Sequence, residues 1–146
     1  MAVPELIRGG SAVDDRGALA FINDLTVSDY CRFYIVSNHS SGFIRAWHGH
    51  QREGKAAFVV SGAALVCAVE IDDWESPSPD LPIHRHVLSE RNPSAVTIPA
   101  GYANGFMTLT SDTRVCFLSS STLAESSADD IRFPARTWDP WSVEER

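Results

Sequence analysis

The sequence predicts an all-β fold, a sandwich or a barrel, on three observations. Short β-rich runs recur along its 146 residues, turn residues separate them, and long stretches with a 3.6-residue period are missing. Nine strands in a chain of this length point to that class. A hydrophobic content of 44% supports one core and the length is too short for two, so residues 1–146 are expected to form a single domain.

Taken in order, the strands fall at 18–22, 31–37 and 43–50, then at 55–61 and 63–71, where Ser61-Gly62 is a hairpin signal between two apolar runs. The Ser- and Pro-rich run from Trp74 to Asp80 reads as a surface connection, with a lid as the alternative. Strands at 83–88 and 95–98 follow, and Pro99-Ala100-Gly101 ends the second in a turn. The last two lie at 106–109 and 114–119; beyond them the chain turns polar, and residues 124–130 suit one short helical turn. Trp138 and Trp141 are expected to plug the barrel, a ligand-stacking platform being the other reading.

A net charge of −7 argues against a nucleic-acid or anionic-membrane partner, which clustered Lys and Arg would hold. A nucleotide ligand remains compatible, because a pyrophosphate needs only a few local cations. Cys31, Cys67 and Cys116 are far apart in apolar runs and read as free thiols of a reducing compartment. The opening residues lack the pattern of a signal peptide, and no apolar run approaches the roughly 18 residues of a membrane span. A cytoplasmic protein is expected.

His48 and His50 alternate around Gly49, so both imidazoles share a face, and Ile44 and Ala46 are expected to put that face inward. Arg45 and Trp47 would then point outward. Imidazoles on an inward apolar face are costly unless paired or used, and a neutral imidazole is the natural base near neutral pH. Lys55 shares a face with Ala57 and Val59. If that face is the inner one, its ammonium can stabilise an enolate; otherwise it is a strand-edge lysine reaching water. His84 and His86, with Arg85 between them, are expected on a solvated outer strand, and His39 in a polar turn.

In this order and spacing, several segments resemble the cupin-fold dTDP-4-dehydrorhamnose 3,5-epimerases and their sugar-isomerase relatives. They are Asp14-Asp15-Arg16-Gly17, Ser37-Asn38-His39-Ser40, Ile44-Arg45-Ala46-Trp47-His48, Gly54-Lys55, Val60-Ser61-Gly62, and Ile98 through Phe106. The resemblance runs from Asp14 to Asp139. It implies a single cupin-type jelly-roll β-barrel, His48 as the base beside the keto group, and Lys55 as support for the enolate. It further implies that Arg16, Ser37, Asn38 and Arg45 bind a nucleotide sugar, some of them across a homodimer.

Departures from the family pattern matter as much. Phe117 stands where the epimerases carry their acid, a Tyr, and the C-terminal Asp that orients their base has no counterpart. Tyr34, Tyr102 and His50 are the candidates to replace the acid. Asn104 stands where cupin metal sites have a third His, and Glu53 follows His50 too closely to be their Glu, so no metal and no cofactor are expected. Arg45-Ala46-Trp47-His48-Gly49-His50 is also similar to the Arg-Gly-x-His-Ala-His of sugar 3,4-ketoisomerases. The leading expectation is an epimerase acting at carbon 3, or 3 and 5, of a nucleotide-linked 4-keto-6-deoxy sugar. Ketoisomerisation of the same substrate class and a non-catalytic sugar-nucleotide-binding cupin are the alternatives.

Overall fold

A computed structural model of the chain describes residues 2–146. Its strands are β1 (Glu5–Arg8), β2 (Gly10–Asp14), β3 (Gly17–Phe21), β4 (Arg32–Ser37), β5 (Ile44–His50), β6 (Lys55–Ser61), β7 (Ala63–Glu70), β8 (Ile83–Ser89), β9 (Ser94–Ile98), β10 (Tyr102–Thr108), β11 (Arg114–Ser119) and β12 (Ile131–Arg132). Among the described residues the one α-helix, α1 (Leu123–Ser127), starts at a capping box in which the Thr122 hydroxyl and the Glu125 carboxylate accept each other's backbone N–H. It ends earlier than the expected turn at 124–130.

Two five-stranded antiparallel sheets pack face to face, in the orders β1-β9-β6-β11-β4 and β12-β5-β10-β7-β8, while β2 and β3 form a hairpin of their own. The β class is as expected; the ladders divide into two sheets and do not run on as one ring. Between the sheets lies a core that takes Ala57, Val96, Val115 and Phe117 from the first and Ala64, Val66 and Phe106 from the second. Strand β10 begins at Tyr102, four residues before the expected start. Its Ala103, Asn104 and Gly105 have weak strand preference, but ladders from β5 and β7 on either side hold them.

The central strands of the second sheet, β10 and β7, are buried on both faces. On its outer face Leu65, Cys67, Val69 and Met107 pack with Trp47 under Trp138 and Trp141, and Trp74 joins them from the connecting run. Two-sided burial explains why β7 reads as an unbroken apolar run. It also corrects the expected plug, because the two tryptophans cover the flank of a sheet and take no part in the core between the sheets. The outer face of the first sheet is bare by comparison. Phe33 is 67% and Ile35 52% exposed, and with Phe21, Leu25, Val60 and Leu118 they line an apolar groove of ≈ 630 Å³.

His84 and His86 are not on a solvated face. They stand opposite Ala68 and Val66, on the inner side that also carries Leu88. His84 meets the Tyr102 ring edge-on at 5.9 Å. The alternation of β8 turns Arg85 and Val87 outward, and burial pushes the His86 imidazole pKa down.

Candidate active site

The site begins with an irregularity in β5. Its register against β10 runs His50 to Tyr102 and His48 to Asn104, then shifts, so that Arg45 faces Phe106. Ala46 and Trp47 together oppose Gly105, as in a bulge. A Cβ on Gly105 would stand 2.5 Å from that of Ala46, so the bend requires glycine there. The shift changes which side chains share a face. Arg45 joins His48 and His50 on the inner side, whereas Ile44 and Ala46, expected there, pack outside with Trp47.

Gly49 is equally constrained. A Cβ there would lie 2.7 Å from the Trp74 ring and 3.0 Å from the Ile131 carbonyl oxygen, so the spacer between the histidines is where the C-terminal segment presses against β5. Strand β12 pairs with this stretch, setting Ile131 against Gly49 and Arg132 against His48.

Arg45, His48, His50 and Asn104 form one wall of a cleft of ≈ 430 Å³, and Tyr34, Lys55 and Phe117 form the facing wall from the first sheet. Asp130 and Arg132 sit at its edge. The Asn104 side chain donates to the His48 carbonyl oxygen at 3.2 Å. Tyr34 stacks on Phe117 with centroids 5.4 Å apart. Lys55 Nζ donates to the Tyr34 hydroxyl oxygen at 2.8 Å. Lys55 therefore faces inward, which resolves the alternative that alternation left open.

Burial, assisted by the Arg132 and Lys55 cations, lowers the His48 pKa to about 4, which keeps its imidazole neutral and able to accept a proton. His50 is lowered too, mainly by burial and then by Lys55. Its Nδ1 lies 2.6 Å from the Asp129 carbonyl oxygen, which can only accept. The proton of the neutral ring therefore sits on Nδ1, and Nε2 is a buried lone pair without a partner.

Behind these groups lies Glu53, whose side chain is fully buried. Its Oε2 accepts from the Ser119 hydroxyl at 2.9 Å and lies 3.6 Å from Lys55 Nζ, and its Oε1 is 3.8 Å from His50 Nδ1. A lone buried carboxylate is costly, and here the ammonium and a hydroxyl compensate it. Asp129 anchors the loop between β5 and β6 by accepting the backbone N–H groups of Gln51, Arg52 and Glu53.

The structure thus gathers Arg45, His48, His50, Lys55, Asn104 and Phe117 around one cleft. Asn38 accepts from Arg45 Nε at 2.7 Å and, with the Ser37 carbonyl, orients that guanidinium. Tyr102 is not among the cleft's lining side chains. Its hydroxyl lies 3.4 Å from Glu70 on β7, the side of β10 away from His50, and burial raises its pKa. Arg16 sits on the β2–β3 hairpin, paired with Asp14 and apart from this cleft. Sequence reasoning missed the roles of Glu53, Asp130 and Arg132. Glu53 gave no alternation signal, because it lies in the loop before β6. Among the described residues no three His, Cys, Asp or Glu side chains group as metal donors.

The lowered His48 pKa has a stability consequence. An imidazole held at about 4 when folded and near 6.5 when unfolded costs nothing above pH 6.5. As the pH falls from 6.5 towards 4 the unfolded chain binds the extra proton, and about 2 to 3 kcal/mol is lost. Urea titrations of the chain and its His48→Asn variant at pH 7 and pH 4.5 are expected to show the smaller acid loss in the variant. Equal losses would contradict a neutral, half-buried His48.

The sequence model of dTDP-4-dehydrorhamnose 3,5-epimerase matches residues 21–139. A search of curated proteins gives no match. Among solved structures, the chain resembles the dTDP-4-dehydrorhamnose 3,5-epimerase of Bacillus anthracis, solved with TDP and PPi bound, at 20% identity and a TM-score of 0.77, covering 97% of this chain and 86% of that one. The QdtA 3,4-ketoisomerase of Thermoanaerobacterium thermosaccharolyticum, a double mutant in complex with TDP, is similar at 18% identity and a TM-score of 0.70, covering 91% and 89%. The rmlC epimerase of Mycobacterium tuberculosis is similar at 22% identity and a TM-score of 0.68; the match covers 82% of this chain and 64% of that longer one. At these identities the structural likeness establishes the fold.

Proposed function

The chain belongs to the dTDP-4-dehydrorhamnose 3,5-epimerase family, and we propose that it epimerises a nucleotide-linked 4-keto-6-deoxy sugar at carbon 3, or at carbons 3 and 5. The observation that carries this reading is the two-walled cleft, with the neutral imidazole of His48 on one wall and the Lys55 ammonium on the other. His48 removes the proton beside the ketone, and Lys55 stabilises the enolate oxygen that gains the charge. Arg45, held by Asn38 and Ser37, is the cation for the diphosphate. The two sheets are read as the halves of a cupin-type jelly-roll barrel, one domain carrying one site.

A homodimer belongs to the same reading. A second copy covers the groove around Phe33 and Ile35, which one protomer leaves in water, and carries the Arg16 hairpin towards its neighbour's cleft. Sedimentation equilibrium is expected to give twice the chain mass of 16.0 kDa. A single-chain mass at micromolar concentration would remove the dimer. The free thiols of Cys31, Cys67 and Cys116 suit a cytoplasmic setting.

The His48–His50 pair favours a second reading, 3,4-ketoisomerisation, because two imidazoles on one wall can pass a proton along one sugar face. Incubating dTDP-4-keto-6-deoxyglucose with the protein in deuterium oxide separates the two. An epimerase puts label into carbon 3 or 5 and leaves the ketone at carbon 4, whereas a ketoisomerase moves the ketone to carbon 3. No exchange at any carbon would defeat both readings and leave a binding module.

A further inference from the structure

Inverting a carbon next to a ketone requires a proton donor on the wall opposite the base. Phe117 has no proton to give. On the facing wall the proton-bearing side chains are Lys55, Tyr34 and Arg32, and a guanidinium does not give up its proton. Lys55 is already committed, because its Nζ donates to the Tyr34 oxygen and lies 3.6 Å from the Glu53 carboxylate.

That arrangement leaves the phenolic proton unspent. The Tyr34 oxygen accepts from Lys55, so its own O–H is directed elsewhere, and among the described residues no protein acceptor takes it. Strand register sets Tyr34 directly opposite Phe117 on the neighbouring strand, with the two rings stacked. The Tyr34 hydroxyl thus stands one strand over from Phe117, against the same cleft.

We infer that Tyr34 is the general acid, delivering its phenolic proton to the sugar carbon from the side opposite His48, an assignment that rests on the epimerase reading. His48 takes the carbon-bound proton, and the electron pair of that C–H bond becomes the enolate. As the enolate collapses, the Tyr34 O–H bond breaks and a C–H bond forms on the other face of the same carbon. The phenolate left behind lies beside the Lys55 ammonium and takes a proton back from water, while the His48 imidazolium releases one to water. Inversion at one carbon is the net change. Glu53 is a positioning residue here, since it holds Lys55 at the Tyr34 oxygen.

The Tyr34→Phe variant tests the assignment, because the ring and its stack on Phe117 remain and only the hydroxyl goes. With dTDP-4-keto-6-deoxyglucose in deuterium oxide, label entry into the unconverted substrate is expected within about threefold of the unaltered chain, since His48 still removes and returns a proton. Epimerised product is expected to form at least about 100-fold more slowly, with KM little changed. Product formation at the unaltered rate would overturn the assignment, leaving the epimerase reading intact. So would an equal fall in exchange and product, which would make the hydroxyl merely a support for Lys55. An unaltered chain that exchanges no hydrogen would overturn the parent reading and this assignment together.

Discussion

The His48→Asn variant is expected to turn over the 4-keto-6-deoxy sugar nucleotide about 10²- to 10⁴-fold more slowly than the unaltered chain, the usual contribution of a general base. Asn fits within the space of the imidazole and is uncharged, and the Asn104 contact to residue 48 is to its backbone carbonyl, so the strand keeps its register. The fall should appear in solvent exchange and in kcat alike, because both begin with removal of the same proton. KM should move little, since the proposed function gives the diphosphate to Arg45, which Asn38 orients. Unchanged exchange would transfer the base to His50, whose unpartnered Nε2 is the other free lone pair on this wall.

The second large effect is on stability. Trp47→Ala is expected to destabilise the fold by about 3–5 kcal/mol, measured by urea unfolding at pH 7. The indole is fully buried, meets Trp138 at 5.5 Å and Trp141 at 5.1 Å, and donates to the carbonyl oxygens of Ala135 and Trp138 at 3.2 and 3.1 Å. Alanine removes the packing and leaves the Trp138 oxygen without its donor, while the Ala135 oxygen keeps the Trp141 indole N–H at 2.9 Å. Trp47→Phe retains most of the ring and should cost less. A loss below about 1 kcal/mol for the alanine variant would mean that the C-terminal segment closes over the gap.

Alternation and turn chemistry made most strands legible, because long apolar runs bounded by Gly and Pro need no knowledge of partners. Strands β1, β2 and β12 were not, since each is short and is defined by what pairs with it. The cleft was legible wherever alternation holds within one strand, as between His48 and His50. It failed between Ala46 and His48, where one extra residue against Gly105 turns Arg45 inward and Ala46 outward. A register shift depends on the neighbouring strand, and nothing in β5 alone announces it. That Phe117 has no acidic proton follows from its residue type alone. That Tyr34 stands opposite it depends on the pairing of β4 with β11, which bridges about eighty residues of chain.

The backing of β5 by residues from Ile131 to Trp141 sets an order of assembly. During synthesis the histidine strand leaves the ribosome long before the segment that pairs with it and seals its outer side. Until that segment arrives, Leu65, Cys67, Val69 and Met107 lack the cover of Trp138 and Trp141. A nascent chain stopped near Asp130 is then both without a finished cleft and sticky along one flank, so premature termination yields a target for chaperones and proteases.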